Sequence, residues 1–175
     1  MNETFVKQYD AVMVCCGRDS KPHIPEVFKD TSFTGRIVHS KYYRQRETFE
    51  RQNVLVVGGG ISGFDISVDL IPSARKIFFA HHMKSKLEKL PFSIEVINED
   101  VVSLESNRVI FESGRRLDDI DVIVLATGFE FSYDFFHENC GLQVIVGFFS
   151  FVSLFTIIFP NSFLFPFSNV TLDLT

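Results

Sequence analysis

In VLVVGGGISGFDIS, residues 54 to 67, glycines stand at 58, 60 and 63 directly after an apolar run and directly before a helical pattern. That spacing suits the binding of a nucleotide diphosphate. Gly58 permits the tight turn, Gly60 lets backbone approach a pyrophosphate, and Gly63 lets helix and strand pack closely. The start of the helix supplies N–H groups and the positive end of its dipole, Ser62 adds a hydroxyl, and Asp65 follows one turn in. Downstream, KIFFA at Lys76 to Ala80 runs into His81-His82-Met83-Lys84, where an NAD site usually carries an acid for the ribose 2′-hydroxyl. With no acid there, and with His81, His82 and Lys84 able to donate to a 2′-phosphate, the pattern favours NADP(H) over NAD. A second apolar strand ends in Thr127-Gly128, and these residues join the cofactor-binding set.

Other chemistries find little support. Cys15, Cys16 and Cys140 have neither metal-ligand nor redox-pair spacing, and an odd, partly adjacent set fits a reducing compartment better than a disulfide framework. No metal site is expected. A formal net charge of -5 with scattered Lys and Arg gives no basic field for nucleic acid.

The elements that must position the glycines follow from periodicity. Asn53 to Val57 reads as a strand, Gly58 to Gly60 as a turn, and Ile61 to about Ile71 as a helix with Ile61, Phe64, Val68 and Ile71 on one face, stopped at Pro72-Ser73. Lys76 to Ala80 completes a β-α-β unit. Short strands are expected at Ser93 to Ile97, Val101 to Leu104 and Arg108 to Phe111, with a turn at Ser113-Gly114. VIVLATG after Asp121 and the run Ala11 to Cys16 after Asp10 read as buried strands. The fold class is α/β: a Rossmann-like NADP-binding domain with a parallel sheet and an inserted β-meander.

Composition shifts near Gly141. No charged residue occurs from Asn139 to Leu172, and Phe148 to Phe167 holds eight phenylalanines. One expectation for Val144 to Phe159 is a membrane helix, although Pro160 stops it slightly short of the roughly 20 residues a span requires. The favoured alternative is read-through of a pyrimidine-rich tract, which would encode such residues. The N-terminus lacks the basic and hydrophobic regions of a secretory signal.

FTGRIVHSKYY at Phe33 to Tyr43 precedes the glycine turn, and its Phe33, Gly35, His39 and Tyr43, followed by Arg44, fit the pattern FxGxxxHxxx(F/Y). Together with YDAVMVCCG at Tyr9 to Gly17, GxGxSG at Gly58 to Gly63 and LATGF at Leu125 to Phe129, this order resembles the flavin-containing monooxygenases over about residues 5 to 144. The resemblance implies a chain in pieces: residues 1–48 as a fragment of an FAD-binding domain and linker, 49–128 as the NADP-binding domain, 129–144 returning toward the FAD domain, and 145–175 as the Phe-rich tail. It further implies NADP(H) and FAD as cofactors and O2 with a small amine or sulfide as reactants. The soft nitrogen or sulfur nucleophile would be oxygenated through a C4a-hydroperoxyflavin. No catalytic side chain is expected in this chain, because the cofactor carries the chemistry. The signature would serve at the junction between flavin and NADP domains. A truncated, inactive NADP-binding module is the alternative. Location in the cytoplasm or on the cytoplasmic face of the endoplasmic reticulum is expected, with membrane association open. The family's first glycine fingerprint does not precede Tyr9, and Cys16 stands where the family usually has Asn.

Overall fold

The computed structural model describes residues 21–29, 31–82 and 90–130, together with the backbone of 143–149 and 152–158. The expected strand at Tyr9 to Gly17, the three cysteines, Met83 and Lys84 lie outside the described residues. In chain order the strands are β1 (Lys21–Pro22), β2 (Ser32–Phe33), β3 (Arg36–His39), β4 (Asn53–Val57), β5 (Lys76–Ala80), β6 (Ile94–Ile97), β7 (Val101–Ser106), β8 (Arg108–Phe111), β9 (Arg116–Leu117), β10 (Val122–Leu125), β11 (Phe129–Glu130), β12 (Gln143–Phe149) and β13 (Val152–Ile158). One α-helix, α1 (Ile61–Asp69), stands between β4 and β5.

The chain divides into two units, and Arg18–Phe131 is the larger. Its centre is a parallel five-stranded sheet in the order β3-β10-β4-β5-β6. Beside it lies a four-stranded sheet, β2-β7-β8-β9, in which the expected meander gains β2 as a parallel neighbour of β7. The signature strand β3 pairs with β10 in the same sheet as β4.

Strands β4, β5 and β10 read as continuous apolar runs because both faces are covered. Leu55, Phe78, Ala80, Ile123 and Leu125 pack on one face with Leu104, Val109 and Phe111 of the meander. Val54, Val56, Ile77, Phe79, Val122 and Val124 pack on the other, with Ile66 and Leu70 of the helical segment. Alternation along each strand divides them in this way. Asp121 ties three strand starts together: its N–H donates to Asn53 O (3.0 Å), its carboxylate accepts the Asn53 N–H (2.7 Å), and its carbonyl accepts the Arg36 N–H (3.0 Å).

Helix α1 corrects one expectation. Its buried face is Gly63, Ile66, Ser67 and Leu70, whereas Ile61 is 83 % exposed and Phe64 and Val68 are half-buried. Apolarity alone selected the face through Ile61 and Phe64, but the bare Cα of Gly63 allows the helix to approach β4 and β5 more closely, and that contact sets its rotation. The buried Ser67 hydroxyl is satisfied by the Gly63 carbonyl at 2.7 Å.

In the second unit, β12 and β13 pair antiparallel from Gln143↔Ile158 to Phe149↔Val152. Over the described residues of this stretch the backbone is strand rather than the helix that a membrane span would require. Val, Ile, Phe and Thr in this stretch favour extended backbone. No helix among the described residues is long and apolar enough to cross a membrane.

Candidate dinucleotide site

Strand order places a site at one end of the parallel sheet. From β4 the chain proceeds through β5 to β6 on one side, while β10 and β3 lie on the other, so the order reverses between β4 and β10. In open α/β sheets ligands bind beyond the carboxyl ends of the strands at such a point. The glycine turn leaves β4 there, and Ala126-Thr127-Gly128 leaves β10 beside it.

The three glycines occupy three different environments. Gly58 has φ +118°, and a Cβ there would lie 2.3 Å from Ala126 O and 2.7 Å from Ala126 C. At Gly63 a Cβ would lie 2.0 Å from Gly58 O and 3.1 Å from the Phe79 ring. Around Gly60, by contrast, a Cβ would meet nothing within 4 Å. Packing explains the first and third glycines but not the second, whose neighbouring space is open. Gly60 caps α1, its carbonyl accepting from Phe64 N–H at 3.1 Å, and no side chain caps the helix start. The first N–H groups of a nine-residue helix thus border that space. A pyrophosphate fits this cradle sterically and electrostatically. Ser62 and Asp65 are exposed, Ser62 on the first turn of α1 and Asp65 on the second.

Backbone bonds fix the cradle's walls. Gly58 N–H donates to Ala80 O (2.9 Å), Ala126 N–H to Val57 O (2.7 Å) and His81 N–H to Ile97 O (3.0 Å), which staples together the ends of β10, β4, β5 and β6. The second loop is clasped from outside. Gly128, with φ +83°, accepts at its carbonyl from His23 N–H (3.0 Å), and Thr127 Oγ1 donates to His23 O (2.5 Å). Thr127 and Gly128 line the loop, but Thr127's hydroxyl is committed to His23.

The signature residues grip this assembly at two points. His39 is buried, its Nδ1 accepts Lys41 N–H (3.1 Å), and its Nε2 lies 2.9 Å from Gly128 O. With Nδ1 an acceptor, Nε2 carries the proton and donates to Gly128. Burial lowers its pKa from the ordinary imidazole value, and its ring meets Phe129 edge-on at 5.1 Å. Tyr43 grips the far end of α1: its hydroxyl donates to Asp69 Oδ2 at 2.6 Å, and its ring stacks on Phe49 at 5.4 Å. Burial and the Asp69 carboxylate raise its pKa. Arg46 Nη1 takes the other Asp69 oxygen at 3.2 Å, offsetting an acid at the negative end of a helix dipole. Arg44 bonds the carbonyls of Lys41 and Tyr43 locally. Gly35 is explained by contact, since a Cβ would lie 2.6 Å from both the Phe33 ring and Asp121 O. The family resemblance implied a junction for these residues without giving their partners Gly128 and Asp69, because nothing local in the sequence marks such long-range contacts.

At the end of β5 the two histidines diverge. His81 is buried against Phe79 (ring centroids 5.3 Å apart), and burial, followed by the neighbouring His82, lowers its pKa. It is a neutral part of the wall. His82 is exposed, and its Nδ1 lies 3.0 Å from Asp100 Oδ1. Of the two, His82 alone leaves its ring exposed. Among the described residues no group of His, Cys, Asp and Glu could hold a metal ion.

Two buried neutral histidines give a pH prediction. His39 and His81 both have folded-state pKa values below the unfolded value of about 6.5. The unfolded chain therefore takes up protons that the folded chain refuses, and stability falls as pH drops through about 6.5 toward the folded-state values. Depressed carboxyls at Glu99 and Glu130 act in the same direction only at lower pH. Denaturant midpoints should fall between pH 7 and pH 5, with a shallower slope in His39→Gln. A flat profile, or an unchanged slope in the variant, would contradict the assignment.

These features define an α/β unit with a parallel five-stranded sheet and a glycine turn at the point where its strand order reverses. Over residues 2–89 and 88–169 the chain matches the family described as Flavin-binding monooxygenase-like, and it belongs to that family. It is 30 % identical to Flavin-containing monooxygenase FMO GS-OX4 of Arabidopsis thaliana over 141 residues, covering 78 % of this chain and 30 % of that one. It is 27 % identical to Senecionine N-oxygenase of Tyria jacobaeae over 137 residues, covering 76 % and 30 %. The solved structure of S-allyl-L-cysteine S-oxygenase from Allium sativum superposes with a TM-score of 0.62 at 25 % identity, over 74 % of this chain and 30 % of that chain. The chain thus spans about three tenths of the length of these relatives.

Proposed function

We propose that the unit Arg18–Phe131 holds NADP(H) within a flavin-dependent monooxygenase. The open space at Gly60, beside the first N–H groups of α1, carries this reading. Gly58 to Gly63 would seat the pyrophosphate, Ser62 would donate to it, His82 would face the 2′-phosphate, and the loop Ala126 to Gly128 would wall the site. His39 and Tyr43 hold that geometry from behind. FAD, when bound, supplies oxygen activation, and NADPH supplies the reducing equivalents. This chain's residues contribute binding, orientation and the fixed position of the cofactor.

For the whole protein the reading is NADPH- and O2-dependent oxygenation of a soft nitrogen or sulfur nucleophile, a small amine or sulfide. The names of the senecionine N-oxygenase and the allyl-cysteine S-oxygenase support this choice. Because the 175 residues cover about three tenths of such proteins, the second reading is that this chain alone binds NADP(H) without turnover. The two differ in measurable ways. The purified 175-residue chain, if it works as such a monooxygenase, should be yellow, oxidise NADPH and move one atom of labelled O2 into a tertiary amine or a thioether. Colourless protein that binds NADPH and oxygenates neither substrate would favour the second reading; absence of NADPH binding would overturn both.

A further inference from the structure

We propose that Asp69 is a positioning residue for cofactor binding: it fixes where α1 lies along the sheet, and so the position of the Gly60–Ser62 turn at the helix start. The inference rests on the nucleotide reading above. α1 meets the sheet through Gly63 and Ile66, with Leu70 just beyond its end. Such contacts hold the helix down but are non-directional, so they set its place along its own axis only weakly. Directional bonds must do that. Among the described residues no α1 side chain except that of Asp69 hydrogen-bonds another element: Ser67 returns to the Gly63 carbonyl inside the helix, whereas Asp69 Oδ2 accepts the Tyr43 hydroxyl at 2.6 Å and Oδ1 accepts Arg46 Nη1–H at 3.2 Å. Both bonds end on an ionised carboxylate, which strengthens them. Arg46 and Asp69 are each 43 % exposed, so the Tyr43 bond carries more of the effect.

The placement of the acid points the same way. Asp69 is the last residue of α1, where the helix dipole is negative and a carboxylate is unfavourable. Helix stability alone would select a base there; the two bonds account for the acid. Their donors lie on the segment that leaves β3 at His39, passes Ser40–Tyr42 against α1, and continues to β4. His39 holds the Gly128 carbonyl, so Asp69 ties α1 to the same segment that holds the loop after β10. A nine-residue helix is about 13 Å long and moves as one piece, so a shift at Asp69 reaches Gly60.

The test measures NADP+ binding to the 175-residue chain by calorimetry, beside thermal melts and at a temperature where every variant compared is folded. Asp69→Ala and Tyr43→Phe should each weaken NADP+ about five- to tenfold, because the helix start is no longer held in place. The double variant should bind within about twofold of Asp69→Ala alone, since both changes remove one bond. Asp69→Asn keeps an oxygen for the Tyr43 hydroxyl and should stay within about twofold of the parent. Val109→Ala, in the core beneath the meander, should lower the melting temperature yet leave NADP+ affinity within about twofold of the parent. Tyr43→Phe, which keeps the ring on Phe49, carries the comparison if Asp69→Ala does not fold. Parent affinity in Tyr43→Phe, additive losses in the double variant, or a loss in Val109→Ala as large as in Tyr43→Phe would each overturn the assignment and leave the nucleotide reading intact. If the parent chain binds no NADP+, the nucleotide reading falls and this assignment with it.

Discussion

Replacing Gly63 with Ala is expected to unfold the unit or lower its stability by about 3 kcal/mol or more, a fall in melting temperature of roughly 6–12 °C. The added methyl would sit 2.0 Å from the Gly58 carbonyl oxygen, backbone that is itself bonded to Ala80 and cannot withdraw cheaply. To make room, α1 must lift from β4 and β5, uncovering Ile66 and Leu70, which close one face of the core. Gly58→Ala should be comparably damaging for two reasons: its Cβ would lie 2.3 Å from Ala126 O, and φ +118° is strained for any L side chain. Thermal melts and far-ultraviolet circular dichroism of the purified variants check this. A Gly63→Ala protein melting within about 2 °C of the parent would mean that the helix is not seated as described.

Gly60→Ala is expected to behave in the opposite way. Its methyl meets nothing within 4 Å, and φ of -76° suits alanine, so folding should be unaffected. That methyl would nevertheless project into the space between the helix start and an incoming pyrophosphate. Affinity for NADPH should fall roughly 10- to 100-fold, about 1.4–2.8 kcal/mol, with an unchanged melt. A stable variant that binds NADPH as tightly as the parent would show that the phosphates lie elsewhere. Within the whole protein, FAD content should be unchanged, because we assign this turn to NADP(H). One motif would therefore divide into two glycines needed by the fold and one needed by the proposed ligand.

The sequence revealed the site's frame more readily than its fastenings. Asn53 to Val57 and Lys76 to Ala80 were legible to the residue, since buried parallel strands are unbroken apolar runs bounded by polar or glycine positions. The glycine turn between β4 and α1 was legible because its glycines stand directly between an apolar run and a helical pattern. The rotation of α1 was not, because Ile61 is apolar yet exposed, and the small Gly63 and Ser67 form the buried face instead. His81 and His82 looked equivalent in sequence; both lie past the end of β5, where His81 is still covered by Phe79 and His82 is out in solvent, a difference only coordinates fix. Signature positions Phe33 to Tyr43 could be recognised as a pattern, but their function depends on Gly128 and Asp69, dozens of residues away. The addition of β2 to the meander was equally hidden, because two residues carry no periodicity.

The central claim, that the turn after β4 holds the pyrophosphate of NADP(H), is tested most directly by a crystal structure of the protein with NADP+ bound. The account predicts pyrophosphate oxygens within hydrogen-bond distance of N–H groups between Gly60 and Gly63, and the adenosine 2′-phosphate beside His82. A pyrophosphate bound away from the start of α1 would contradict it.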